Sequence, residues 1–199
     1  MKRLINTLVF VTLILINTNG FSYNSDPKTF IDELVNDAIA TLGDKNISIE
    51  DKNRKIETIA LRNVDVEALG MYTLGEFRKT LDQATLKTYK DLFEKYFLKS
   101  LTSRLKDYSS GTFEIISSDK KSASYTIVKS KIPKNEKKPE IKIDWRIYTK
   151  NADKPLIRDL IVEGLSLART QKEEFSSILN SNNNDINILI SKLEEFVTN

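Results

Sequence analysis

The stretch from Ile141 to Phe175 reads IKIDWRIYTKNADKPLIRDLIVEGLSLARTQKEEF, and its apolar periodicity changes three times. Ile141, Ile143, Trp145 and Ile147 alternate with Lys142, Asp144, Arg146 and Tyr148, which predicts a strand with one buried and one wet face. Asn151-Ala152-Asp153 predicts a turn, and Leu156 to Val162 a second apolar strand. At Glu163-Gly164 the period changes again. Gly164 permits a sharp strand-to-helix corner, and Ser166 or Thr170 opens a helix that runs to Leu179.

Upstream of this stretch, Thr112 to Ser117 and Ala123 to Lys131 read as two more strands, separated by Ser118-Asp119-Lys120-Lys121. Ile132 to Pro139 connects the second strand to the third, Glu140 to Lys150. Connections this short favour an antiparallel meander. Before the strands the period is that of a helix. Ser25-Asp26-Pro27 opens a helix that ends at Gly43, Ser48-Ile49-Glu50-Asp51 opens one through Leu61, and Asp65 caps a short one ended by Gly75. A long helix is expected from Asp82 to Tyr108. Its aromatic stripe, Tyr89, Phe93, Tyr96 and Phe97, suits either core packing or the lining of a cavity. A final helix is expected from Asn184 or Asp185 to Phe196. The order of helices, strands and helices predicts an α+β fold, with a twisted antiparallel sheet of about four strands and helices packed on one face.

The N-terminus has a different character. Met1-Lys2-Arg3, the apolar run Leu4 to Ile16 and the small, polar exit through Ser22 are the parts of a secretory signal peptide. The apolar run is shorter than the roughly 20 residues a membrane span needs. The expected organisation is a signal peptide over 1–22 and a single domain over 23–199.

Composition removes several function classes. The 199 residues include no Cys and no His. Disulfide frameworks, thiolate chemistry, the common zinc sites and imidazole acid-base catalysis are therefore excluded. The net charge of +3 falls to +1 without Lys2 and Arg3, which offers no electrostatic case for nucleic acid. Gly164-Leu165-Ser166-Leu167-Ala168 is close to a nucleophile elbow, but no histidine is available to activate Ser166. Asp159 reads as a structural partner of Arg146 or Arg169. The lysine-rich connection from Lys131 to Pro139 suits a solvated hairpin tip, or a loop that docks on anionic headgroups or a partner.

Several blocks resemble the MlaC family, the toluene-tolerance auxiliary proteins. They are Trp145-Arg146, Asp159 through Ser166, Thr170-Gln171-Lys172 with Glu174-Phe175, Val64-Asp65-Val66, Leu74 through Arg78, Ala84-Thr85, Tyr89 through Leu101, and Asn184-Asp185-Ile186 with Leu189 through Leu193. The similarity runs from about Phe30 to Phe196. It implies a periplasmic phospholipid-binding shuttle between the outer and inner membranes that maintains outer-membrane lipid asymmetry. The implied partners are an inner-membrane ABC transporter complex with a lipid-binding periplasmic subunit and an outer-membrane lipoprotein-porin complex. It further implies a monomer that is not an enzyme and needs no cofactor beyond the carried phospholipid. The expected lining of an apolar lipid cavity is Tyr125, Ile127, Ile143, Trp145 and Ile147 from the strands, Leu160, Val162 and Leu165 at the corner, and Leu74, Phe77, Phe93 and Phe97 from the helices. A lipoprotein chaperone and a ligand-free interaction module remain as alternatives.

Overall fold

Asp26 opens helix α1 (Pro27–Gly43) by accepting the Thr29 amide at 2.9 Å, with proline in the first turn, where its missing N–H costs nothing. The computed structural model describes residues 23–105, 112–136 and 139–199. The expected signal peptide, the 106–108 end of the long helix and Lys137-Lys138 of the lysine-rich connection lie outside the described residues.

Ser48 caps α2 (Ile49–Asn63), accepting the Asp51 amide at 3.0 Å while its hydroxyl donates to the Asp51 carboxylate at 2.8 Å. Aspartate is one methylene shorter than the usual glutamate, and its partner here is the hydroxyl. Asp65 caps α3 (Val66–Thr73), after which Gly75, at φ +57°, starts a 3-10 turn over Gly75–Lys79. Helix α4 spans Gln83–Leu105. It crosses α3 closely, because a Cβ on Gly70 would lie 2.8 Å from Cδ1 of Phe93.

The sheet has the strands β1 (Glu114–Ser122), β2 (Tyr125–Ile132), β3 (Ile141–Tyr148), β4 (Leu156–Val162) and β5 (Leu165–Ser166), antiparallel and in sequential order. The α+β class is as expected, with five strands in place of about four. Strand β1 runs on through Ser118 to Lys121, the segment expected to turn. Its charges suit an edge strand, and its irregularities between Ile115 and Ser117 and between Lys120 and Ser122 twist the exposed edge. Helices α5 (Leu167–Ser181) and α6 (Ile186–Thr198) close the chain, capped by Ser166 and Asp185.

Apolar residues gather into two clusters. Phe30, Ile31 and Leu34 of α1 pack on Val128, Trp145, Ile147 and Ile157 of the sheet. Val66, Leu74, Tyr89, Phe93, Phe175, Leu179, Leu189 and Leu193 form a second cluster from the remaining helices. Val64 packs against both and bridges to Ile157, so the α2–α3 junction covers the free edge of β4. Arg158 fixes that junction. Its guanidinium pairs with Asp65 at 2.7 Å and lies 3.6 Å over the Tyr148 ring.

Candidate functional site

Residues directly opposite in a ladder share a face. On the face that α1 covers, Thr126, Ile147 and Ile157 make one row and Val128, Trp145 and Leu160 the next. Ser130, Ile143, Val162 and Leu165 make the third, and Ile132 with Ile141 the fourth. Burial declines along this series. The first row is buried throughout, the second only at Val128 and Trp145, and the third only at Ser130. Ile132, Ile141, Ile143 and Val162 are partly buried, and Leu165 is 59% exposed. An aliphatic strip thus continues the core beyond its cover, at the end of the sheet where the β2–β3 connection and the β4–β5 turn meet.

That turn has an identifiable geometry. Glu163 and Gly164 both have positive φ, +49° and +82°, between the paired Val162 and Leu165. Two left-handed residues make a tight two-residue hairpin whose twist matches the strands. The expected strand-to-helix corner is therefore a hairpin followed by a two-residue strand. Glu163 also accepts the Lys142 amide, which ties the turn to the start of β3. Next to it Asp159, only 5% exposed, accepts from the Ser166 hydroxyl at 2.6 Å and the Ala168 amide at 3.0 Å, with Arg146 at 3.6 Å. The Ser166 hydroxyl in turn accepts the Arg169 amide at 3.1 Å. Ser166 is a helix cap, and its oxygen is engaged in that role.

The twelve expected lining residues fall into four groups. Ile143, Trp145, Ile147 and Leu160 lie on the α1-covered face, in or against its core, and Val162 and Leu165 extend that face to the open end. Leu74 and Phe93 are buried in the helical cluster, with Phe77 and Phe97 packed against it. Phe93 stacks on Tyr89 and meets Phe175 edge-on, so the aromatic stripe is core packing at these positions. Tyr125 and Ile127 are a correction. They pair with Tyr148 and Arg146 on the opposite face, and the covered residues of β2 are Thr126, Val128 and Ser130.

Ser130 can occupy that covered face because its hydroxyl is bonded there. The Ser130 hydroxyl accepts the Trp145 indole N–H at 2.8 Å and donates to the Ile143 carbonyl at 3.0 Å. Buried Tyr89 is likewise engaged, sharing a 2.7 Å hydrogen bond with Thr73, and burial raises its phenol well above the usual range. The sequence reading leaves Ile132 in the connection; pairing with Ile141 puts it in the strip.

Depressions among the described residues include the following two. One of about 110 Å³ lies beside Gly70 and Phe93 under the Lys90–Glu67 ion pair. A larger one of about 280 Å³ lies at the Glu163-Gly164 end. Ligand pockets typically occupy roughly 300–1,000 Å³. Among the described residues no group of three or more acidic side chains could hold a metal ion, and no helix is long and apolar enough to cross a membrane.

These features define an α+β scaffold whose α1-covered antiparallel meander is left open at one aliphatic end. The MlaC protein family matches residues 32–195, and the chain belongs to that family. Among solved structures it is similar to the phospholipid-binding protein from Ralstonia solanacearum, determined in complex with a phospholipid at 1.53 Å resolution. The TM-score is 0.71 at 16% identity, covering 84% of this chain and 94% of that one, which establishes a common fold. No curated protein matches the sequence.

Proposed function

We propose that this chain is a phospholipid carrier. It acts in the periplasm after removal of residues 1–22, as a monomer, between an outer-membrane lipoprotein-porin complex and an inner-membrane ABC transporter complex. The observation that carries this reading is the aliphatic strip Ile132, Ile141, Ile143, Val162 and Leu165, which continues from a closed core to an exposed edge in a chain of the MlaC family.

The physical requirement is steep. A diacyl lipid has on the order of 30 methylenes, and at about 0.8 kcal/mol each its tails resist passage through water by about 20 kcal/mol or more. A carrier must replace water around them with oil. Because bilayer and carrier both present oil, the difference between hosts can be small enough for the lipid to leave again. Such a site needs apolar area and room to open, and no reacting side chain. Acyl chains would enter over the strip and separate α1 from the covered face, where rows two and three are only partly closed.

The test is lipid extraction and mass spectrometry of the purified 23–199 protein, with uptake of labelled phospholipid from vesicles. Co-purifying phospholipid and measurable uptake are expected. Absence of both would defeat the carrier reading in favour of a ligand-free interaction module, and phospholipid turnover by the pure protein would restore an enzyme reading.

A further inference from the structure

On the face opposite the strip, the 280 Å³ depression at the Glu163-Gly164 turn has an unusual charge pattern. Ile116 and Ile161 supply apolar walls, and Lys129, Lys142, Asp144 and Glu163 supply two positive and two negative groups. The cross-strand register keeps them close: Lys129 is opposite Asp144, which is opposite Ile161, and the Glu163 amide bonds the Lys142 carbonyl at 3.0 Å. Among the described residues the Lys142 ammonium and the Asp144 carboxylate have no ion-pair partner, and Lys129 has only Asp119 at 3.9 Å. Water solvates such exposed charges, and here both signs border one hollow.

The hollow is also next to the strip along the chain. Val162 and Leu165 belong to the strip, and Glu163 and Gly164, between them, line the depression. A molecule that passes from one face to the other at this end therefore has only the two-residue turn to go round. Gly164 has no side chain to obstruct that path, and nothing lies within 4 Å of where its Cβ would be.

We infer that this depression receives the headgroup of a carried lipid whose head is zwitterionic, with one ammonium and one phosphate, as in a phosphoethanolamine. The inference rests on the proposed carrier function. The lysines take the phosphate and Asp144 with Glu163 takes the ammonium. An anionic head without an ammonium satisfies only the lysines and leaves two carboxylates facing a phosphate. Exposed ion pairs are worth about 0.2–1 kcal/mol, so selectivity up to about five-fold is expected from them.

The experiment loads lipid-free protein from vesicles of equal phosphatidylethanolamine and phosphatidylglycerol, and measures total lipid per chain and the headgroup ratio by mass spectrometry. The expected result is enrichment of phosphatidylethanolamine by two- to five-fold over the vesicle ratio. Asp144→Asn should move the ratio toward phosphatidylglycerol with total lipid unchanged, and Lys142→Gln should reduce the enrichment. Asp144 caps no helix, so a folded variant is expected and thermal melting checks it. Uptake of both lipids in the vesicle ratio, or an Asp144→Asn ratio equal to wild type, overturns this inference and leaves the carrier reading standing. No lipid uptake at all overturns both. Binding of soluble glycerophosphoethanolamine without lipid selectivity overturns assignment of the site to a carried lipid's head.

Discussion

Replacing Leu165 by Glu isolates lipid retention from folding. Leu165 is 59% exposed, so less than half of its surface is covered in the folded chain. Full burial of a leucine is worth about 1.5–3 kcal/mol, so removal of this partial cover costs roughly 1 kcal/mol. In a domain of this size that corresponds to a fall of about 2–4 °C in melting temperature. The two-residue strand retains its backbone pairing, since Val162 and Leu165 bond through main-chain atoms. The effect on an acyl chain is larger. Glutamate removes the leucine surface offered to the tail and puts a carboxylate beside it, and an unpaired charge against hydrocarbon costs several kcal/mol. At 1.4 kcal/mol per factor of ten, retention should fall at least 30-fold. The assay compares phospholipid per chain by mass spectrometry with thermal melting followed by circular dichroism. Lipid content equal to wild type in a normally folded Leu165→Glu protein would remove the open end of the strip from the binding site. A melting temperature lower by more than about 10 °C would refute the assignment of this side chain to the surface.

Three further outcomes follow from the packing. Gly70→Ala adds a helix-favouring methyl, worth up to about 1 kcal/mol in open space, but places it 2.8 Å from a Phe93 ring held among Tyr89, Tyr96 and Phe175. Chemical denaturation should show a net loss of about 0.5–2 kcal/mol, and a gain would mean that the α3–α4 contact is loose. Asp159→Ala removes the acceptor of the Ser166 hydroxyl and Ala168 amide and the partner of Arg146, so a loss of about 2–4 kcal/mol is expected, with Asp159→Asn costing less; equal costs would show that an uncharged acceptor at this position contributes nothing. The Asp26 carboxyl is held below its ordinary value chiefly by the Thr29 amide. Its contribution is therefore complete above the unfolded-state value near pH 4 and is lost as pH falls through the lower folded-state value. Asp26→Asn, which still caps, should flatten the decline in melting temperature below pH 4, and an unchanged acid slope would contradict that linkage.

Where sequence and structure agree or part, the reason is local. Strand β3 was legible because each of its outward positions is charged or carries a hydroxyl and each inward one is large and apolar, and the structure buries Trp145 and Ile147 as that pattern requires. Strand β2 misled because Tyr125 and Ile127 are more apolar than Thr126 and Ser130. Its face is set by Val128 opposite Trp145 and by the Ser130 hydroxyl, whose partners are 13 and 15 residues away and invisible to a local pattern. The caps at Asp26, Ser48, Asp65 and Ser166 were legible because a cap is a contact within three residues. The Glu163-Gly164 hairpin was only half legible: glycine announces positive φ, whereas glutamate in that conformation is uncommon and is supported by its bond to the Lys142 amide. The aromatic spacing of Phe93 and Phe97 does not distinguish a ring inside one cluster from a ring facing the other.

The division into two clusters bears on how a carrier could open. A single continuous core would have to lose packing everywhere to admit an acyl chain. Here the α1–sheet cluster and the helical cluster share Val64, and the junction around it is fixed by polar contacts: the Asp65 amide to the Ile157 carbonyl at 2.9 Å, and Arg158 to Asp65. Hydrogen bonds are directional and can hold a hinge in place while side chains beside it part, which an interdigitated apolar contact cannot do without losing dispersion over its whole area. The helical cluster, closed by Tyr89 and the Phe93–Phe175 pair, is then the rigid body against which movement occurs, and the declining burial along the sheet sets the direction of entry. On this argument Arg158→Ala should loosen the junction and speed both uptake and release of labelled lipid in stopped-flow exchange, with a smaller change in the equilibrium amount bound. A slowed exchange would instead mean that the pair helps to form the open state.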